Sequence, residues 1–215
     1  MRLAIFDVDG TLISGKSTEK RFIAWLVRRG CVGPRQILSM IWFVIRWFPV
    51  FGRHVFRKNK AYLHGLSVSR VAREARDFAE ALPEDAFIRP ALAELERHKA
   101  QGDAVVLLSG TLQPIVDTLC RRLGADGGLG AECSEESERY TARPPVRHPF
   151  HHEKRELVAL LSEKYGVAAE EISAYADSRF DIPILGEVGA PAAVGPDREL
   201  ARWAKEHDCR IIETT

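Results

Sequence analysis

Asp7 and Asp9 stand two residues apart where a short apolar run, residues 3–6, comes to its end. In an extended backbone, residues i and i+2 project to the same side, so the two carboxylates leave the chain together. Carboxylates that close repel unless one holds a proton or a cation lies between them. Three other places supply matching chemistry. Ser109-Gly110-Thr111 follows the apolar run AVVLL, Lys154 stands in HHEK, and Asp177 follows ISAYA with Asp181 four residues on. Carboxylates can hold Mg²⁺, which prefers oxygen ligands. A serine hydroxyl followed by the N–H groups of Gly110 and Thr111 at a helix start can receive phosphate oxygens. A lysine adds positive charge where negative charge accumulates in a transition state. Together these are the residue types that phosphoryl transfer requires.

The elements that must position them follow from hydrophobic periodicity. Residues 3–6, 104–109, 172–176, 192–194 and 210–212 read as short buried strands. Helical patterns over 90–100, 113–123, 153–165, 180–187 and 199–207 alternate with them, and Gly102, Gly124 and Gly166 act as stops. Residues 129–133 and 139–142 suit a hairpin with the acidic turn SEESE at its tip. Buried strands separated by helices predict an α/β fold with a Rossmann-like parallel sheet core and helices on both faces. In such sheets ligands bind at the carboxyl ends of the strands, where Asp7, Asp9, Ser109 and Asp177 all fall. Lys154 opens the helix before the strand that ends at Asp177.

Between the first strand and the rest lies an all-helical stretch. The reading divides the chain into a core of residues 1–13 and 86–215 and an inserted helical cap of residues 14–85. Within it, residues 37–51 are apolar on every side except Ser39 and Arg46. That run is too short, and too interrupted by Arg46 and Pro49, for the ~20 apolar residues a bilayer span needs. It is a buried or an interfacial helix, and Trp42, Phe43, Trp47, Phe48 and Phe51 read as core of the cap.

The 215 residues, 46% hydrophobic and 28% charged, describe a folded protein with room for one large domain or a core with an insertion. The four cysteines form no C-x-x-C pair, which favours reduced thiols over a zinc site or a disulfide framework. His148, His151 and His152 fit no common metal spacing. Only four apolar residues separate Arg2 from Asp7, too few for a signal-peptide core, and a cytoplasmic location follows as the expectation. The net charge of +1 hides an asymmetry: residues 16–60 hold eleven Lys or Arg and a single acid, Glu19. That imbalance points to an anionic partner.

DVDGTL, LLSGT, the lysine of HHEK and YADSRFDIPIL resemble, in order, the four motifs of the haloacid dehalogenase superfamily, and the match runs through the core from end to end. The helical insertion after the first motif and the ending AVGPDRELARWAKEHDCRIIE resemble its phosphoserine-phosphatase-like branch. The resemblance implies a Mg²⁺-dependent phosphomonoester hydrolase in which Asp7 is the nucleophile and Asp9 the proton donor and acceptor. It further implies that Ser109, Gly110, Thr111 and Lys154 bind phosphate. Asp7, the Asp9 carbonyl and Asp177 would hold the metal, and Asp181 would orient Lys154. Members that attack carbon have no use for the second acid, so Asp9 speaks against a dehalogenase.

Two departures bear on the substrate. Where related phosphatases read Gly-Asp-Gly-x-Asn-Asp, this chain has Ala176, Ser178 and Phe180, so an amide partner of Lys154 is missing. Phosphoserine phosphatases carry a glutamate shortly after the first motif that binds the substrate amine; the nearest position here is Lys16, and only Glu19 can substitute. The expected partner is therefore a phosphorylated small molecule or a lipid phosphate, with an anionic membrane surface reached through the basic cap and no nucleic acid. Peripheral attachment at the inner membrane surface goes with that reading. Two alternatives use the same residue types: a phospho-aspartyl signalling receiver, which is shorter and carries its aspartate on a later strand, and a catalytically weak membrane-binding protein.

Overall fold

Why the first strand sits at the centre of the molecule is visible in its side chains. The computed structural model describes residues 2–15 and 17–214. Strand β1 (Leu3–Phe6) is buried on both faces. Ala4 and Phe6 enter one apolar cluster, and Leu3 and Ile5 enter another on the opposite side. A strand that must fill two cores has no polar face, which is why the run reads as continuous rather than alternating.

Around it, β2 (Ala104–Leu112), β3 (Gly127–Ala131), β6 (Ile172–Ala176), β7 (Ala190–Val194) and β8 (Arg210–Ile212) complete a six-stranded sheet of order β3-β2-β1-β6-β7-β8. Every pairing within it is parallel. The chain winds outward from β1 in one direction through β2 and β3, then in the other from β6 to β8. The point where the winding reverses lies beside β1, and there the strand ends open a crevice.

Helices α5 (Arg89–Ala100) and α6 (Gln113–Leu123) contribute to the cluster on one face of the sheet. Helices α7 (His152–Tyr165), α8 (Ile182–Leu185) and α9 (Arg198–Glu206) contribute to the cluster on the other. The predicted parallel α/β sheet with helices on both faces is the observed fold.

The segment of residues 14–85 holds α1 (Thr18–Arg28), α2 (Pro34–Phe51), the one-turn helix α3 (Val55–Lys58) and α4 (Val68–Glu80). Phe22 and Leu26 of α1, with Val71, Ala75 and Phe78 of α4, belong to the same cluster as the Phe6 face of the sheet. α2 and α3 have a smaller cluster of their own, built on Phe43, Val55 and Ala61. Among the described residues, no helix is long and apolar enough to cross a membrane.

Three expectations change. The aromatic run of α2 is not all core: Phe43 is buried, whereas Trp42 and Phe48 are at least half exposed. With 3.6 residues per turn, these positions face opposite sides of one helix. The strand expected to end at Ser109 continues to Leu112, because β2 shifts register between Leu108 and Leu112 and pairs Leu112 with Ala131. The predicted hairpin also divides. Residues 127–131 join the main sheet, and a small antiparallel pair forms from β4 (Glu135–Glu136) and β5 (Arg139–Tyr140). Ser137 and Glu138 turn between them with positive φ.

Candidate active site

Asp7 follows the last residue of β1, and its N–H donates to the Tyr175 carbonyl of β6 at 3.0 Å, which carries the sheet pairing one step past the strand end. Asp177 follows β6 in the same way. Adjacent parallel strands thus deliver two carboxylates to one spot, and Asp181, at the start of α8, brings a third. Carboxylate oxygens of Asp7, Asp177 and Asp181 lie within 4.8 Å of one another.

Lys154 in the first turn of α7 answers that negative charge. Its Nζ donates to Asp7 Oδ1 at 2.6 Å and to Asp181 Oδ1 at 2.7 Å, with the three side chains 6%, 11% and 5% exposed, respectively. These carboxylates hold the lysine that lacks the expected amide partner. Phe180 instead packs on Phe150 with ring centroids 5.0 Å apart, and the Arg57 guanidinium of α3 lies 4.4 Å from each ring centre.

Burial raises the Asp7 carboxyl well above its ordinary range, and the charges of Asp181 and Asp177 push the same way against Lys154. Burial and Asp181 raise Asp177 to about 7. For Lys154, burial works to lower the ammonium, but Asp181 and Asp7 outweigh it and hold the group above its usual value. Two carboxyls displaced upward in one spot indicate less positive charge than the acids can use. The donors are all oxygens, the set a hard divalent cation takes.

Asp9 points elsewhere. Its Oδ1 accepts the Thr18 N–H at 2.6 Å, at the first residue of α1. The Ser17 side chain makes no cap there, so an acid from the strand end caps the helix instead. Gly10, next in the chain after Asp9, has φ +88°, and a Cβ there would stand 2.1 Å from Asp177 Oδ2. Glycine is required at that position for both reasons.

These groups open into a cleft of about 640 Å³ lined by Asp7, Asp9, Ser109, Gly110, Lys154 and Asp177, among others. Thr111 does not line it; its N–H donates to Ser109 Oγ at 3.2 Å, so this residue bears on the position of the serine hydroxyl. Asp181 lines the cleft with the others.

Lys60 and Tyr62, which bond to residues of the cleft wall, and His148, which lines it, were assigned no part in the chemistry from the sequence alone. Lys60, 2% exposed, donates to the Gly110 carbonyl at 3.2 Å and pairs with Glu19. Tyr62 donates its O–H to the other Glu19 oxygen at 2.8 Å. Both oxygens of Glu19 are therefore engaged; Lys16 lies outside the described residues. His148 is buried against Gly110, and its Nδ1 has no hydrogen-bond partner among the described residues. Burial, reinforced by Lys60, Lys58, Arg57 and Lys154, lowers it to about 2, so its ring is neutral. The basic run RKNK was the one available signal for Lys60 and Arg57. His148 stood out only with His151 and His152, at a spacing that fits no common metal site.

The profile of the haloacid dehalogenase-like hydrolases matches residues 4–186. The phosphoserine phosphatase SerB1 of Mycobacterium tuberculosis is 27% identical over 215 residues, covering 97% of this chain and 69% of its own. A histidinol-phosphatase of Neisseria meningitidis is 26% identical over 222 residues, covering 98% of this chain and 97% of its own. A solved structure of a Bordetella pertussis Tohama I protein of unknown function superposes with a TM-score of 0.81 at 22% identity, covering 100% of this chain and 99% of that one.

Proposed function

The chain belongs to the haloacid dehalogenase-like hydrolases and is a phosphatase, and we propose that it hydrolyses phosphomonoesters through an aspartyl-phosphate on Asp7. The observation that carries this reading is Lys154 between Asp7 and Asp181 at the carboxyl ends of β1 and β6. An Asp7 oxygen attacks phosphorus, and the bond from phosphorus to the ester oxygen breaks. Asp9 gives that oxygen a proton, then takes one from the water that attacks the phosphorus and releases phosphate and the Asp7 carboxylate. Thr18 holds the Asp9 carboxylate in one orientation for both transfers. Lys154 and the Ser109 hydroxyl stand where the equatorial phosphate oxygens gather charge. Gly110 lines that wall, and the Thr111 N–H bears on it through the Ser109 hydroxyl.

The oxygen donors suit Mg²⁺, held by Asp7, the Asp9 carbonyl and Asp177, with Asp181 orienting Lys154. Bound there, it supplies positive charge to the phosphoryl oxygens and lets the acids share the site. We read residues 14–85 as a cap over the cleft, with α3 reaching the core loops through Arg57.

Two relatives of nearly equal identity are named for different substrates, so likeness alone does not choose one. Phosphoserine suits this cleft poorly, because Glu19, the acid expected to take its ammonium, is already neutralised by Lys60 and bonded by Tyr62. A phosphomonoester with an anionic or apolar remainder fits better: a phosphorylated metabolite or a lipid phosphate headgroup. The positive charge of residues 16–60 also suits an anionic membrane surface.

Turnover of an aryl phosphate with and without Mg²⁺, in the parent and in Asp7→Asn, tests the reading. Loss in the variant and reversible loss with EDTA are expected. Full activity in Asp7→Asn removes Asp7 as nucleophile, and stoichiometric phosphate uptake without turnover would make the protein a receiver.

A further inference from the structure

Helix α2 is apolar on every side, yet only one side is covered. Phe43 is buried against Val55 and Ala61, with Met40, Val44, Trp47 and Phe51 packed around them. On the other side Ile37, Leu38, Ile41, Trp42, Ile45 and Phe48 are between 50% and 66% exposed. Ile37, Ile41, Ile45 and Phe48 recur at the spacing of one helical stripe, and Leu38 and Trp42 run beside it. Of the exposed positions from 34 to 50, only Arg35 and Arg46 are polar. They stand three turns apart, along one border of the stripe. A continuous apolar face of this kind on a folded protein marks an interaction surface.

We propose that this face docks on a bilayer rich in anionic phospholipid and holds the mouth of the cleft against it. Charge selects the partner. Residues 16–60 carry ten more positive than negative charges, and Arg35, Arg46, Arg53 and Arg57 are exposed on or just beyond α2. A second copy of the chain on this face would press like charges together in a two-fold contact. Anionic headgroups complement them, and tryptophan with isoleucine and phenylalanine on the same face suits the headgroup–acyl boundary.

The two helices beside this face also border the site. Met40 of α2 and Phe56 of α3, the latter 65% exposed, both line the cleft that holds Asp7 and Lys154. A docked protein therefore faces its cleft toward phosphomonoesters lying in the headgroup plane. This last consequence rests on the phosphatase reading; the docking itself does not.

The test uses the whole chain in co-sedimentation with vesicles of phosphatidylglycerol and phosphatidylcholine, against phosphatidylcholine alone, at low and high salt. Aryl phosphate turnover is measured on the same samples. Binding to the anionic vesicles that weakens with salt is expected. Ile41→Glu/Ile45→Glu should abolish it and leave turnover intact, since neither residue lines the cleft. Arg35→Gln/Arg46→Gln should weaken binding about 30-fold, at about fivefold per arginine near the surface.

The proposal falls if the parent does not bind anionic vesicles, or if the two glutamates leave binding unchanged. It falls equally if equilibrium sedimentation shows a dimer that Ile41→Glu/Ile45→Glu breaks, for then a second copy occupies the face. Absence of turnover in the parent would instead overturn the phosphatase reading, whatever the vesicles show.

Discussion

Replacing Lys154 by methionine removes the ammonium and keeps most of the side-chain volume. In the parent that ammonium is 6% exposed, between carboxylates that are 11% and 5% exposed. The variant leaves Asp7, Asp177 and Asp181, within 4.8 Å of one another, with no cation among them. Removing one partner of a buried ion pair costs about 3–5 kcal/mol, because the remaining charge stays desolvated. For a chain of this size, each kcal/mol moves the melting temperature by about 2–4 °C, so a fall of about 6–20 °C is expected in metal-free buffer. Thermal unfolding followed by circular dichroism measures it. Two companion measurements separate this cause from lost packing. Lys154→Met/Asp181→Asn should melt higher than Lys154→Met, because it has one fewer uncompensated carboxylate. Saturating Mg²⁺ should also raise the melting temperature of Lys154→Met more than that of the parent. Activity should fall about 10²–10³-fold, as for loss of one preorganised donor. A melting temperature within 2 °C of the parent, or a double variant less stable than the single one, would refute the electrostatic account.

Asp9→Asn keeps an oxygen for the Thr18 N–H and loses the proton, so turnover of an alkyl phosphate should drop about 10²–10⁴-fold. The drop should be much smaller for a nitrophenyl phosphate; equal losses on both would count against Asp9 as the acid. Gly10→Ala adds a Cβ 2.1 Å from Asp177 Oδ2 at a φ of +88°, which must displace that carboxylate. The Mg²⁺ concentration for half-maximal activity should rise about 10-fold or more, and an unchanged value would show that Asp177 is not a ligand. Glu94 accepts from Arg210 at 2.7 Å and from the Tyr175 O–H at 3.0 Å. Although burial acts to raise its carboxyl, the hydrogen bonds from Arg210, Arg97 and Tyr175 hold it at about 2, against an ordinary 4.5. A depressed carboxyl stabilises the fold above its unfolded value and loses that contribution as pH falls through its folded value. Glu94→Gln should therefore cost about 2 kcal/mol at pH 7, allowing for the half-exposed Arg210, and the gap to the parent should close between about pH 4.5 and 2. A gap that is constant with pH would refute the charge argument.

Features that depend on residues close together in the chain were legible without the fold. The apolar run of residues 3–6 puts Asp7 and Asp9 at one strand end, although the strand stops at Phe6 and Asp9 turns to Thr18 rather than projecting beside Asp7, and the continuous apolar runs marked strands buried on both faces. Alternation of those runs with helices indicated a parallel sheet, and carboxyl ends of such strands are where its ligands bind. Asp7, Asp9, Ser109, Lys154, Asp177 and Asp181 were all legible on that ground. Features that depend on distant partners were not. The turn-like residues Ser109-Gly110-Thr111 continue as strand because β3, contributed by residues further along the chain, extends the pairing to Leu112. Glu19 resembled a free ligand for an amine until the fold brought Lys60 and Tyr62, more than forty residues away, onto its two oxygens. The apolar period of α2 could mark two faces but not say which one is covered. Period is a property of one helix, whereas burial belongs to whatever packs against it, and here that is Val55 and Ala61 on one side only. The chemistry was thus written locally, while the charge balance of the cleft and the exposed face beside it were decided by tertiary packing.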